Sequence, residues 1–205
     1  QEKKANNINL VTAGHYLPIV IESIKKARKN GLTIPIVYNS SGYEKVEAIE
    51  ALNGIVDIFL PDFKYISSEM AARYSNAPDY PEVAKRALAQ MVKQTGEAKF
   101  DERDMMKRGV IVRHLILPGH IKESKKAIRY LYETYGDQIY ISIMNQYTPM
   151  PGIEKRFKNL GRTITQREYD EVVDYAVDLG VENGFIQEGE TAKESFIPQF
   201  DDTGL

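Results

Sequence analysis

About five times between residues 7 and 144, a short apolar run ends in polar or turn residues and gives way to a longer stretch with apolar side chains at helical spacing. That alternation predicts parallel strands joined by right-handed helical crossovers, with the helices forming an outer layer. The first strand falls at residues 8–12, with Asn7, Asn9 and Val11 on one face and Ile8, Leu10 and Thr12 on the other. Leu17, Ile21, Ile24 and Ala27 or Arg28 follow as a helical stripe, and Gly31 sits where a C-terminal cap belongs. A second strand at 34–38 runs into the polar turn at 39–43 (NSSGY), and residues 44–52 are long enough for a short helix.

The third strand carries the most information. Residues 55–60 (IVDIFL) are nearly continuously apolar, as a parallel strand covered on both faces reads, yet the run ends in Asp62 and Lys64. Side chains alternate along a strand, so Val56, Ile58, Leu60, Asp62 and Lys64 share one face if the chain stays extended past Pro61. A carboxylate and an ammonium then project at the C-terminal end of a parallel strand, where such sheets build their sites. The alternative is a salt bridge that closes the strand top and does no chemistry.

The connection from 67 to 108 is too long for one loop and predicts helices of its own, one starting at Pro81 with the stripe Val83, Ala84, Ala87, Leu88, Met91, Val92 and ending at Gly96. The charged residues 97–107 read as an exposed loop. The fourth strand, 109–117, is apolar except for Arg113 and His114, and a buried charge has to be paired, hydrated or used. Pro118 and Gly119 close it, and a helical face of Ala127, Ile128, Leu131, Tyr132 and Tyr135 follows. The fifth strand, 139–144, places three isoleucines on one face and Tyr140, Ser142, Met144 and then Gln146 on the other. Thr165 and Glu168 form a capping box that opens the last helix, a brief strand is expected near 185–187, and residues 188–205 read as a polar tail after one domain spanning 1–187.

Polar residues on one face of several strands (Asn9, Asp62, Lys64, Arg113, Ser142, Gln146) favour a barrel-like curve over a flat, doubly covered sheet. The predicted class is α/β, a partial, open TIM-like β/α barrel. The formal charge of −2 with mixed signs gives no nucleic-acid or membrane footprint and points to small-molecule or protein partners. No run approaches 18 apolar residues and no signal peptide opens the chain, so the default location is cytoplasmic. The first residue is not Met, which suggests a fragment. The chain has no cysteine, so it offers no thiolate ligand, and its three histidines lack metal-ligand spacing. His15 and His114 read as local hydrogen-bonding residues.

Residues 9–12 (NLVT), 37–43 (VYNSSGY), 56–64 (VDIFLPDFK), 112–118 (VRHLILP) and 143–147 (IMNQY) together resemble the radical S-adenosylmethionine superfamily, in the branch of the pyruvate formate-lyase activating enzymes. The resemblance covers roughly residues 5–150 and is specific for the family rather than for a substrate. It implies a partial barrel in which a three-cysteine loop after the first strand holds a 4Fe-4S cluster. S-adenosylmethionine bound to that cluster is cleaved to a 5′-deoxyadenosyl radical. The missing cysteines then place that first βα unit upstream of residue 1, and the chain alone is expected to be inactive.

Carried over residue by residue, the resemblance puts Asn39, Ser40 and Gly42 near the methionine moiety and Asp62 and Lys64 near its carboxylate. Arg113 would meet a carboxylate or ribose hydroxyl, and Gln146 tops the next strand. Thr12 and Gly14, in residues 12–15 (TAGH), occupy the place of a Gly-Gly-Glu motif whose glutamate is absent. The implied partners are S-adenosylmethionine, an electron donor, and a glycyl radical enzyme or another protein substrate. Competing readings are a turn at 39–42, a buried Asp62–Arg113 ion pair, a non-radical barrel enzyme for a small anionic metabolite, and a degenerate protein-binding domain.

Overall fold

The computed structural model describes residues 1–186; the expected tail at 188–205 and the end of the last expected strand lie outside the described residues. The strands are β1 (Ile8–Val11), β2 (Ile36–Ser40), β3 (Ile58–Pro61), β4 (Lys99–Phe100), β5 (Met106–Leu115), β6 (Tyr140–Met144) and β7 (Gly184–Ile186). Six of them run in the order β1-β2-β3-β5-β6-β7, every neighbouring pair parallel, while β4 adds to β5 antiparallel. β1 and β7 end the order without pairing with each other, so the sheet is open, as expected of a partial barrel. At the β1 edge Val11 is 65% exposed.

The helices α1 (Leu17–Lys29), α2 (Val46–Ala51), α3 (Ser68–Ser75), α4 (Tyr80–Thr95), α5 (Ile121–Tyr135), α6 (Ile153–Arg156) and α7 (Gln166–Leu179) fill the crossovers. Their apolar stripes meet one face of the sheet. Ile36, Tyr38, Phe59, Val110, Val112, Ile141 and Ile143 share one core cluster with Leu17, Ile24, Leu88, Met91, Ile128, Leu131 and Val172. The other face, carrying Asn39, Leu60, Ile111, Arg113 and Ser142, is only half-buried. One face is thus sealed by helices while the other remains available, which is the layering of a partly closed barrel.

Two expectations are corrected. The strand expected at 55–60 begins only at Ile58, because the backbone N–H groups of Ile55 and Val56 bond to Leu52 O in the closing turn of α2. Val56 therefore joins the helix-side core instead of the face shared by Ile58, Leu60 and Asp62. Residues 97–107 are not a plain loop: Lys99 and Phe100 pair with Arg108 and Met106, and the turn between them is held by Asp101. Asp101 accepts from the backbone of Arg103 and Met105 and pairs with Lys107 at 3.0 Å. The charge run is a hairpin turn in which Asp101 pairs with both Arg103 and Lys107.

Candidate functional site

All strands of the main order are parallel, so their C-terminal ends form one rim. Three of those ends meet at Arg113. Its Nη2 forms an ion pair with Asp62 Oδ1 at 2.6 Å and donates to Asn39 Oδ1 at 2.7 Å, and Lys64 Nζ lies 3.6 Å from Asp62 Oδ2. Two cations share one carboxylate, leaving the group with one net positive charge. The Arg113 and Asp62 side chains are 25% and 23% exposed, so water screens the pair only in part. Arg113 Nε is buried with no hydrogen-bond partner among the described residues. Below this layer the same face turns apolar, and Val37, Ile58, Leu60 and Ile111 line a cavity of about 310 Å³.

Asp62 is held there by backbone contacts on both sides. Its N–H donates to Ser40 O at 2.9 Å, and the next N–H, of Phe63, donates to Arg113 O at 2.8 Å. Ladder pairing therefore continues past Pro61 and keeps Asp62 on the inner face. Ser40 is itself buried, and its hydroxyl accepts from Gly42 N at 3.3 Å. Gly42 has φ +76°, and a side chain there would run into Asp62 O, so the loop after β2 is pressed against the end of β3.

On the β1 side, Thr12 adopts a left-handed conformation (φ 55°) and donates its N–H to Asn39 O at 3.0 Å. A Cβ on Gly14 would lie 3.3 Å from the Tyr38 hydroxyl and 3.5 Å from Glu44 Oε2, so this loop closes over a tyrosine and a carboxylate. Burial raises the Glu44 carboxyl above its ordinary value, opposed by the Tyr38 hydroxyl and by His15. Gln146 lies two residues beyond β6 and is half-buried; its side chain makes no hydrogen bond to the Arg113 group among the described residues.

His114, next to Arg113, points to the opposite face. It is 1% exposed, its Nδ1 lies 2.7 Å from Phe63 O, and burial lowers its pKa. It fits the reading as a local hydrogen-bonding residue.

The structure adds two residues that sequence reasoning missed. Glu44 is a half-buried acid directly after the turn at 39–43, and the same rule that picked out Asp62, charge at a strand end, could have found it. Tyr80 bonds through its hydroxyl to backbone groups of two rim loops. Its sequence neighbourhood signals only a helix start.

No family model matches the sequence. The chain is 28% identical over 172 residues to the uncharacterized protein MJ0674 of Methanocaldococcus jannaschii, and the match covers 84% of this chain and 46% of that protein. The chain thus spans about half the length of this relative. In fold it is similar to a domain of pyruvate-formate lyase-activating enzyme from Bacteroides vulgatus, with a TM-score of 0.61 at 13% identity, over 89% of this chain and 98% of that domain. At that identity the likeness speaks for the architecture alone.

Proposed function

We propose that this chain is the cofactor-gripping part of a radical S-adenosylmethionine enzyme of the activating-enzyme type. The observation that carries the proposal is the net-positive Arg113–Asp62–Lys64 group at the C-terminal rim of an open parallel sheet. The fold likeness to an activating-enzyme domain supports it. Lys64 and Arg113 suit the carboxylate of the methionine moiety, and the unpartnered Arg113 Nε is a donor awaiting an acceptor. Glu44, which lacks a Lys or Arg partner among the described ion pairs, suits the ammonium of the same zwitterion and would replace the absent motif glutamate. Asn39, Ser40 and Gly42 shape the floor between them. When bound to a reduced cluster, S-adenosylmethionine supplies the radical chemistry; these residues supply its placement.

The 4Fe-4S cluster does not fit residues 1–205: there is no cysteine, and no group of His, Asp or Glu among the described residues could hold a metal. Cluster ligation is therefore assigned to a part of the intact protein outside this sequence. An electron donor and a protein substrate, with a glycyl radical enzyme as one form, belong to the same proposal.

Calorimetric titration of the chain with S-adenosylmethionine tests it. Weak binding is expected, and Lys64→Ala should reduce it by about 1 to 1.5 kcal/mol, roughly five- to tenfold, a charge-assisted contact discounted for exposure. After anaerobic treatment with iron and sulfide the chain should show no cluster absorbance, while the intact protein should yield 5′-deoxyadenosine on reduction. An intact, reconstituted protein that forms none would defeat the proposal.

A further inference from the structure

Tyr80 is the first residue of α4 and is 3% exposed. Its ring stacks on Tyr43 with centroids 5.8 Å apart and meets Tyr65 edge-on at 5.6 Å. Its hydroxyl reaches three backbone atoms, and none of them belongs to α4. The hydroxyl proton is shared between Ser41 O at 2.9 Å and Asp62 O at 3.0 Å, and its oxygen accepts the N–H of Lys64 at 3.0 Å. One phenol thus joins the loop after β2 to both residues of the loop after β3 that carry the rim charges.

We infer that Tyr80 is a positioning residue, whose hydroxyl sets the register of these two loops and so the placement of Asp62 and Lys64 toward a bound ligand; the inference rests on the cofactor reading above. Helix capping does not explain the contacts, since the hydroxyl serves other segments. Ring packing does not explain them either, since a phenylalanine would pack as well. The Gly42 backbone pressed against Asp62 O shows how close the two loops are, and a Cβ at Gly42 would come within 3.3 Å of the same hydroxyl. Removing the hydroxyl leaves two carbonyls and one N–H without their partner, and a loop that has to find new partners moves its side chains with it. A displacement near 1 Å is enough to matter at a polar site.

The test uses the whole 205-residue chain and S-adenosylmethionine as the titrant. Tyr80→Phe should raise the Kd roughly tenfold, whereas Tyr135→Phe, which removes another buried hydroxyl at the far end of α5, should leave Kd within about twofold at a comparable loss of Tm. Replacing Tyr80 by 4-aminophenylalanine, which keeps an N–H donor and a lone pair, should restore affinity. Unchanged affinity in Tyr80→Phe, or an equal loss in Tyr135→Phe, overturns the inference. If the wild-type chain does not bind S-adenosylmethionine, the cofactor reading fails, and Tyr80 is judged on amide hydrogen exchange at Lys64. Protection in the wild type with at least roughly tenfold faster exchange in Tyr80→Phe supports the register role. An unprotected Lys64 amide in the wild type, or unchanged exchange in the variant, overturns it, and the wild-type measurement decides should the variant not fold.

Discussion

Arg113→Met removes the guanidinium while keeping most of the aliphatic stem, so it isolates the charge at the rim. Two contacts are lost, the 2.6 Å pair with Asp62 and the 2.7 Å bond to Asn39. Breaking a fully buried pair costs about 3–5 kcal/mol and an exposed one about 0.2–1. With both side chains about a quarter exposed, and Lys64 still 3.6 Å from Asp62, an intermediate loss of about 2 kcal/mol is expected. For a chain of this size that corresponds to a Tm lowered by about 4–8 °C. Urea unfolding followed by circular dichroism reads it directly, and the m-value should be unchanged because the fold is kept. Asp62→Asn alone and combined with Arg113→Met should give a coupling energy of about 1–2 kcal/mol. A loss below about 0.5 kcal/mol, or no coupling, would show the pair behaving as a solvated surface contact and would remove the argument that the rim is electrostatically built.

Two further outcomes follow from groups away from the rim charges. Glu168 accepts from Thr165 N at 2.9 Å and Gly119 N at 2.8 Å and pairs with Arg162 at 2.6 Å; Arg162 above all holds its carboxyl far below the ordinary value near 4.5. A depressed acid contributes stability above its unfolded pKa and loses it as pH falls, so Glu168→Ala should cost about 1–2 kcal/mol at neutral pH and flatten the acid limb of a pH–stability curve. Burial depresses His114 from its ordinary 6.5, so above that pH both states are neutral, and below it the unfolded chain takes up the proton first. The urea midpoint should fall between pH 7.5 and 5.5, and fall less in His114→Gln; an identical drop in that variant would contradict the assignment.

The repeating strand-and-helix pattern was readable because the helix-facing residues of the strands are mostly apolar, from Ile36 and Tyr38 to Ile141 and Ile143, with buried Ser40 and His114 as exceptions near strand ends. The inner face was readable for the complementary reason that Asp62 and Arg113 break the pattern at strand ends, whereas Asn39 read as part of a turn and is the last but one residue of β2. Asp62 and Arg113 do form an ion pair, and the pair is compatible with a rim that still carries net charge. What stayed hidden depended on the backbone. Val56 is apolar like its neighbours, and only the hydrogen bonds to Leu52 O show that it belongs to the end of a helix. The 97–107 hairpin was masked by its own charges. Tyr80 acts on backbone atoms up to 39 positions away, which no periodicity encodes.

The placement of Asp62 comes down to the alternation of β5. Consecutive residues of a strand point to opposite faces, so Arg113 and His114 straddle the sheet at the level of Asp62 and Phe63. From the inner face Arg113 takes the Asp62 carboxylate, from the helix face His114 takes Phe63 O, and between them Arg113 O accepts Phe63 N–H. Pro61 has no N–H of its own to give, yet the segment after it is fixed at a side chain, a carbonyl and an amide by two neighbouring residues of one strand. A polar dipeptide inside an apolar strand therefore does two separable jobs. His114, sealed under the helices, locks the backbone, and Arg113, on the rim, holds the Asp62 and Asn39 side chains while its Nε has no partner among the described residues.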